Sequence, residues 1–271
     1  MSEAVVKPAA VLPVARGNLL GDTWWVCWRE LKHYVGQPMR IFMTLFQPLV
    51  WLVLMGNMYQ RIAAVPGFPA KSYLDYMAPG IVVMVTLFGG MFTGMSVVWD
   101  RRLGFLHKML AAPLARSAVV TGKMLAAGIQ AIIQGLVILL IALAMGVKFS
   151  AGIGGVPLLL LLAALLCLVL TGFSLALAAV VTTHETLMAL VNFFTMPLMF
   201  TSNAMMPTQF MPTWLADIAR VNPISFAINP MRTLFLSGYD VAGLVEGFLI
   251  LGALVAVMAF IASSLFRRSM A

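Results

Sequence analysis

The sequence predicts an all-α polytopic membrane protein with six transmembrane helices, and three observations carry that prediction. Hydrophobic residues fill 62% of the 271 positions and charged residues 10%, against roughly a quarter charged in a soluble domain, and the mean hydropathy is +1.00. Six apolar stretches approach the roughly 20 residues that a bilayer core requires of a helix. Basic residues sit in the short connections between those stretches rather than on one face of a domain. The net charge of +8 is therefore a topology signal, and no nucleic-acid partner is expected.

Along the chain, MSEAVVKPAAVLPVARGNLL lacks the compact basic-then-apolar order of a signal peptide, so the N-terminus is expected to stay in place in the cytoplasm. DTWWVCWRELKHYV then sets Trp24, Trp28, Leu31 and Val35 on one helical stripe, with Arg29, Glu30 and His33 opposite. With Asp22 as N-cap and Pro38 just past its end, this reads as an interfacial helix on the inner leaflet. Packing on a protein neighbour is the alternative. One domain over 1–271 follows: a tail and interfacial helix over 1–40, a six-span bundle over 41–266, and a tail over 267–271.

Spans are expected over 41–59, 76–98, 117–145, 156–181, 187–206 and 241–266. The fifth holds Pro197 and ends before Pro207; proline in a membrane helix marks a kink more often than a break, because neighbouring helices satisfy the freed carbonyl. Six spans put both termini on one side. That side receives Lys7, Arg16, Arg29, Lys32, Arg40, Arg101, Arg102, Lys108, Arg116, Lys123, Arg267 and Arg268. The other receives only Arg61, Lys71, Lys148, Arg220 and Arg232, so both termini are expected in the cytoplasm.

Between spans two and three lies an island of charge, WDRRLGFLHKMLAAPLAR. As a helix over 103–112 it clusters Leu103, Leu106, Met109 and Leu110 on one side, with Arg101 and Lys108 opposite, and Pro113 ends it. Spacing alone does not choose between a solvated connection and a helix that enters a groove on another protein. The second cytoplasmic turn, TTHET, offers His184 and Glu185, either as a minor partner contact or as two solvated residues. Gly122 and Lys123 form the chain's Gly-Lys step, but Met124 follows where a phosphate loop needs Ser or Thr. No cytoplasmic segment holds the roughly 200 residues of a nucleotide-binding domain.

On the outer side Pro207, Pro212, Pro223 and Pro230 exclude one long helix. The segment either folds back into the membrane as a plug, with Trp214 at the interface, or is an ordinary loop. Gly90 and Gly94, in GMFTG, allow close helix approach. Glu246, the acid clearly inside a hydrophobic run, is a functional candidate by default, or else reaches the headgroups. Met55, Met84, Met91, Met95, Phe88, Phe92 and Phe200 offer an adaptable apolar surface for a pathway, or pack against helices and lipid. Cys27 and Cys167 lie far apart with no CxxC, so neither a disulfide framework nor a metal site is read.

DRRLGFLHKMLAAPLARSAVVTGK resembles the cytoplasmic loop of the ABC type-2 exporter permeases: an acidic-basic pair, a Gly turn, a Leu-rich short helix, an Ala-Pro-small-Arg step and a Gly-Lys. NAMMPTQFMPTWLADIARVNPISFAINPMR is similar to that family's extracellular re-entrant segment, and the resemblance, in texture nearest the daunorubicin-resistance type, covers nearly the whole chain. It implies a permease that exports amphipathic or hydrophobic, drug-like molecules, or lipid-linked glycans as other branches do. It implies a coupling helix docked on a separate ATPase, in two copies, that carries ATP and Mg2+, with no catalytic residue or cofactor on this chain.

By the same resemblance the docking residues are Trp24, Trp28, Arg29, Asp100, Arg101, Arg102, Leu103, Leu106, Lys108, Met109 and Leu110, with His184 and Glu185. The exit gate is Pro207, Pro212, Trp214, Pro223 and Arg232. Two chains form a homodimer across spans one and five, in a prokaryotic plasma membrane. Arg102 departs from the pattern, since many relatives carry an acid there, and the cognate ATPase is expected to differ at its facing position. An ion-coupled carrier, the reading from another class, wants His or acids at mid-membrane, whereas His33, His107 and His184 fall in cytoplasmic segments.

Overall fold

The computed structural model describes residues 18–104 and 115–269, and the chain there is helical, with no strand among the described residues. α1 (Leu19–Val35) starts from an extended Asn18, carries Asp22 in its first turn and Lys32 and His33 in its last, and so matches the helix dipole at both ends. α2 (Pro38–Met58) follows after two residues, with Pro38 at the position where its missing N–H costs nothing. α3 (Tyr73–Phe92) is capped by Ser72, whose Oγ accepts from Leu74 N at 3.2 Å. α4 (Gly94–Arg102) continues it past a break at Thr93.

After the undescribed stretch come α5 (Arg116–Ala144) and α6 (Gly152–Val180). α7 (His184–Phe200) is capped by Thr183; the short α8 (Thr213–Val221) leads into α9 (Pro223–Leu236), capped by Asn222, and α10 (Val241–Ser269) closes the chain.

Among the described residues five helical segments are long and apolar enough to cross a membrane: Ile41–Met58, Tyr73–Arg102, Ser117–Ala144, Gly152–Val180 and Val241–Arg268. The expected fifth span is shorter than anticipated. α7 keeps Pro197 inside it but stops at Phe200, giving 17 residues, about 25 Å of helix. Just there the Thr201 and Ser202 hydroxyls bond back to the carbonyls of Pro197 and Met199, which draws the backbone out of the helical ladder.

α3 and α6 form the centre, and the most apolar window of α3–α4 is 67% buried against 17% for α2 and for α10. Their approach rests on the GMFTG glycines. A Cβ at Gly90 would lie 2.9 Å from Leu170 Cβ, and one at Gly94 would lie 2.5 Å from the Ser174 carbonyl oxygen, so both positions let α3–α4 touch the backbone of α6. Ser174 Oγ donates to Met91 O and lies 3.1 Å from Gly94 N, which satisfies groups freed at the Thr93 break.

Candidate functional site

At one end of the bundle α1, α4 and α5 meet in a charged hub. Lys123, on the second turn of α5, has a side chain 1% exposed, and its Nζ donates to Glu30 Oε1 at 2.8 Å, Asp100 Oδ2 at 2.9 Å and Ser96 Oγ at 2.8 Å. Arg29 Nη2 reaches both oxygens of Asp100 at 3.2 Å and Glu30 Oε1 at 3.1 Å. Two cations and two carboxylates thus cancel, as burial requires.

Closer packing adds to the charges. A Cβ on Gly122 would come within 2.6 Å of Val26 Cβ, so α1 and α5 touch nearly backbone to backbone. Thr23 and Thr121 hydroxyls are 3.0 Å apart, and Asp22 Oδ2 accepts from Ala115 N at 3.2 Å. Asp22 is therefore not the N-cap of its own helix, a position held by Asn18; it serves the entrance to α5 instead. α1 consequently holds both flanks of residues 105–114: Asp100 on one side, Ala115 and Lys123 on the other. Cys27 is buried in this contact, and burial, helped by the Glu30 charge, pushes its thiol above the ordinary cysteine range.

The other docking residues surround the hub. Arg101 donates to the Val181 and Ala179 carbonyls at 3.3 Å, tying α4 to the end of α6. Arg102 pairs with Glu185 at 3.4 Å in the open, and Trp99 packs on His184 with ring centres 5.3 Å apart, so the two cytoplasmic connections expected from the sequence touch. Leu103 is exposed and Gly104 has φ +65°, where the chain turns away from α4. Leu106, Lys108, Met109 and Leu110 lie outside the described residues. Trp24 and Trp28 stack 6.5 Å apart on the exposed face of α1, with Trp25 beside them.

At the opposite end α9 carries Arg232, buried, with its guanidinium 3.8 Å from the centre of the Tyr76 ring. Its Nη2 donates to Asn203 O at 2.9 Å and Ala204 O at 3.1 Å, and the Tyr76 hydroxyl donates to Asn203 O at 3.1 Å. Ala204 O also lies 2.5 Å from where a Gly80 Cβ would stand. Arg232 thus pins the bend after α7 onto α3. Ile224, near the start of α9, lines a small cavity with Gly80, about two turns inside α3, whereas Phe235 O and Leu236 O at its end bond Ser150 between α5 and α6.

Beside this bend lies a cleft of ≈ 760 Å³ bounded by α2, the start of α3, the end of α7 and residues 205–215. Met55 and Phe200, expected on the pathway, line it, as do Pro207 and Pro212 of the expected gate. The remaining candidates stand elsewhere. Phe88 and Phe92 stack together half-buried on α3, and Met84 and Met91 are buried in the core, because α3 is enclosed nearly all round. Glu246 is exposed on α10, Trp214 is exposed on α8, and Pro223 opens α9.

Sequence reading missed Glu30, Ser96 and Lys123 as one site, and the signal was present. Lys123 lies inside the third apolar stretch, where an ionisable residue needs a partner.

Five spanning helices, a neutralised charge hub at one end and an apolar cleft at the other define a polytopic helical membrane protein. The chain belongs to the ABC-2 type transporter family, whose model matches residues 21–236. It is 31% identical over 203 residues to the "Putative transport permease ycf38" of Cyanophora paradoxa, covering 73% of this chain and 69% of that protein. It is 25% identical over 260 residues to the daunorubicin resistance ABC transporter permease protein DrrB1 of Streptomyces coeruleorubidus, covering 93% and 88%. To the "Probable multidrug ABC transporter permease YbhR" of Escherichia coli K12 it is 28% identical over 170 residues, covering 62% and 45%.

Proposed function

We propose that this chain is the membrane subunit of an ATP-driven exporter of amphipathic or hydrophobic, drug-like molecules, powered by a separate ATPase in two copies that holds ATP and Mg2+. The observation that carries the reading is the hub. α1 clasps both flanks of residues 105–114 through Asp22, Arg29, Glu30, Asp100 and Lys123. A partner that pushes on that segment therefore moves α1, α4 and α5 as one body. Without such a clasp the segment would yield as a loop, and the push would dissipate.

The topology is part of the proposal. Six crossings with both termini cytoplasmic fit α7, because its start meets Arg102 at one end of α3–α4 while Met205, just past its end, accepts from the Tyr73 hydroxyl at the other. α8 and α9 then form the re-entrant segment, with Arg232 as its anchor. Two copies of the chain pair through α2 and α7, whose exposed apolar faces include Phe42, Phe46, Phe193 and Phe200, in the plasma membrane of a prokaryote. The drug-resistance names of the relatives support the cargo class. Lipid-linked glycan export is the second reading, and the lining of the cleft weighs against it.

The test is copurification with candidate ATPases, followed by ATP hydrolysis with and without cargo. Stable association and cargo-stimulated turnover are expected. A chain that moves the same cargo on a proton gradient alone, with no ATPase bound, would replace this reading by an ion-coupled carrier.

A further inference from the structure

Where α3 passes into α4 the helical ladder changes its step. Thr93 N bonds Gly90 O at 3.2 Å and Ser96 N bonds Thr93 O at 3.1 Å, three residues back instead of four. A short run of such bonding inside a long helix marks a place where it bends. Thr93 Oγ1 donates to Gly89 O at 2.8 Å and Ser96 Oγ to Thr93 O at 2.8 Å, so two hydroxyls compete for carbonyls of the ladder. Gly89 adds slack with no steric reason to be glycine: a Cβ there would meet Gln134 Oε1 at 3.5 Å, an ordinary contact. The position nonetheless holds the residue that weakens a helix most after proline.

One side chain from outside closes this break. Ser174 of α6, fully buried, donates to Met91 O on one side of Thr93 and accepts from Gly94 N at 3.1 Å on the other. The two flanks of α4 are then held unequally. Towards α1 and α5, Asp100 and Ser96 both meet Lys123, whose side chain is 1% exposed, and Arg29 completes the cluster. Towards α6 and α7 stand two Arg101 bonds at 3.3 Å, the Trp99–His184 ring contact, and an Arg102–Glu185 pair with side chains 48% and 73% exposed. Solvent screens the exposed pair, whereas parting the buried cluster would leave charges uncompensated.

We infer that α4 is a lever hinged at Thr93, and that Ser174 is the positioning residue that latches it against α6. When the latch opens, α4 moves with α1 and the start of α5 and parts from the end of α6 and the start of α7, while α3 stays in the core. Ser96, bonded both to the Thr93 carbonyl and to Lys123, carries displacement of the hub into the hinge. The inference rests on the export reading and deepens it: it names the joint at which a push from the ATPase becomes a change of shape within this chain.

The test uses the full-length chain in phosphatidylcholine nanodiscs, with Cys27 and Cys167 replaced by Ala and spin-labelled cysteine pairs read by double electron–electron resonance. One pair, at Leu103 and Phe193, crosses the seam between α4 and α7; the other, at Leu103 and Leu20, stays within the hub body, and all three positions are exposed. Ser174→Ala should raise the longer-distance population of the first pair about tenfold, a difference of roughly 1.4 kcal/mol, and leave the second pair unchanged. Gly89→Ala should narrow the first pair's distribution whether or not Ser174 is present, and raise the Tm. A packing defect at Ser174 would instead broaden both pairs together.

Equal broadening of both pairs in Ser174→Ala, or a first pair that ignores both substitutions, would overturn the hinge. Lengthening of the second pair in place of the first would overturn the assignment of α4 to the body of α1 and α5. Since neither ATPase nor ATP is present, failure of the hinge beside intact ATP-driven export spares the export reading, and a hinge that responds as described in a chain that no ATPase drives removes the export reading alone.

Discussion

Replacing Lys123 by Met leaves the hub with one cation for two carboxylates. Glu30 and Asp100, each with a side chain 15% exposed, keep only Arg29, which is itself 35% exposed and correspondingly weakened by solvent. Breaking a buried pair from one side costs roughly 3–5 kcal/mol, and the residual Arg29 contacts place this case near 3 kcal/mol. That loss falls on the contact between α1 and α5, where Cys27 is buried, and so appears as local opening rather than global unfolding. In a Cys167→Ser background, maleimide labelling of Cys27 should accelerate about 100-fold in the Lys123→Met protein, since roughly 1.4 kcal/mol is one decade. The closed state reacts slowly for two reasons: the thiol is sterically buried, and its raised pKa leaves little thiolate. Arg29→Gln should accelerate labelling far less, and Glu30→Gln combined with Lys123→Met should recover most of the protection by restoring neutrality. An unchanged rate in Lys123→Met would show that the hub does not hold α1, and the clasp argument would fail with it.

Three further outcomes follow from the same geometry. Gly94→Ala sets a Cβ 2.4 Å from Ser174 Oγ and should lower the Tm by the equivalent of at least about 1–3 kcal/mol, whereas Gly252→Ala, with nothing within 4 Å, should leave it unchanged. Arg232→Met removes two charge-assisted bonds to Asn203 and Ala204 and should make a cysteine at half-buried Phe226 label faster, while one at exposed Trp214 labels fast in both backgrounds; slow labelling at Phe226 in both backgrounds would deny Arg232 its anchoring role. Changing Leu106 and Leu110 together to Asp should abolish copurification of the ATPase without lowering the Tm, because an unpaired carboxylate costs several kcal/mol in an apolar groove.

The parts of this molecule that depend on local chemistry were legible from sequence. Long apolar runs set five of the helices, GMFTG marked a close helix approach without naming α6 as the helix it meets, and TTHET marked the turn into α7. The hub was not, because its partners lie 71 and 93 residues apart and no periodicity couples them. Arg29 and Asp100 read as surface charges for a partner, yet they face each other within the chain. Lys123 was counted with the connection before it, although its position about two turns into α5 already demanded a counter-charge. The sixth crossing was ambiguous for a physical reason. Pro197, Thr201 and Ser202 loosen the ladder within one turn, and composition alone does not say where a helix so weakened gives way.

The most direct test of the account is ATP hydrolysis and efflux measured with this chain alone and with its ATPase, reconstituted in vesicles loaded with 1-pyrenemethanol. The account predicts no turnover by the chain alone, and ATP-dependent efflux with cargo-stimulated hydrolysis once the ATPase is added, both lost in Lys123→Met. Robust hydrolysis by the isolated polypeptide that survives repurification, or efflux that ignores the ATPase and follows a proton gradient, would contradict it.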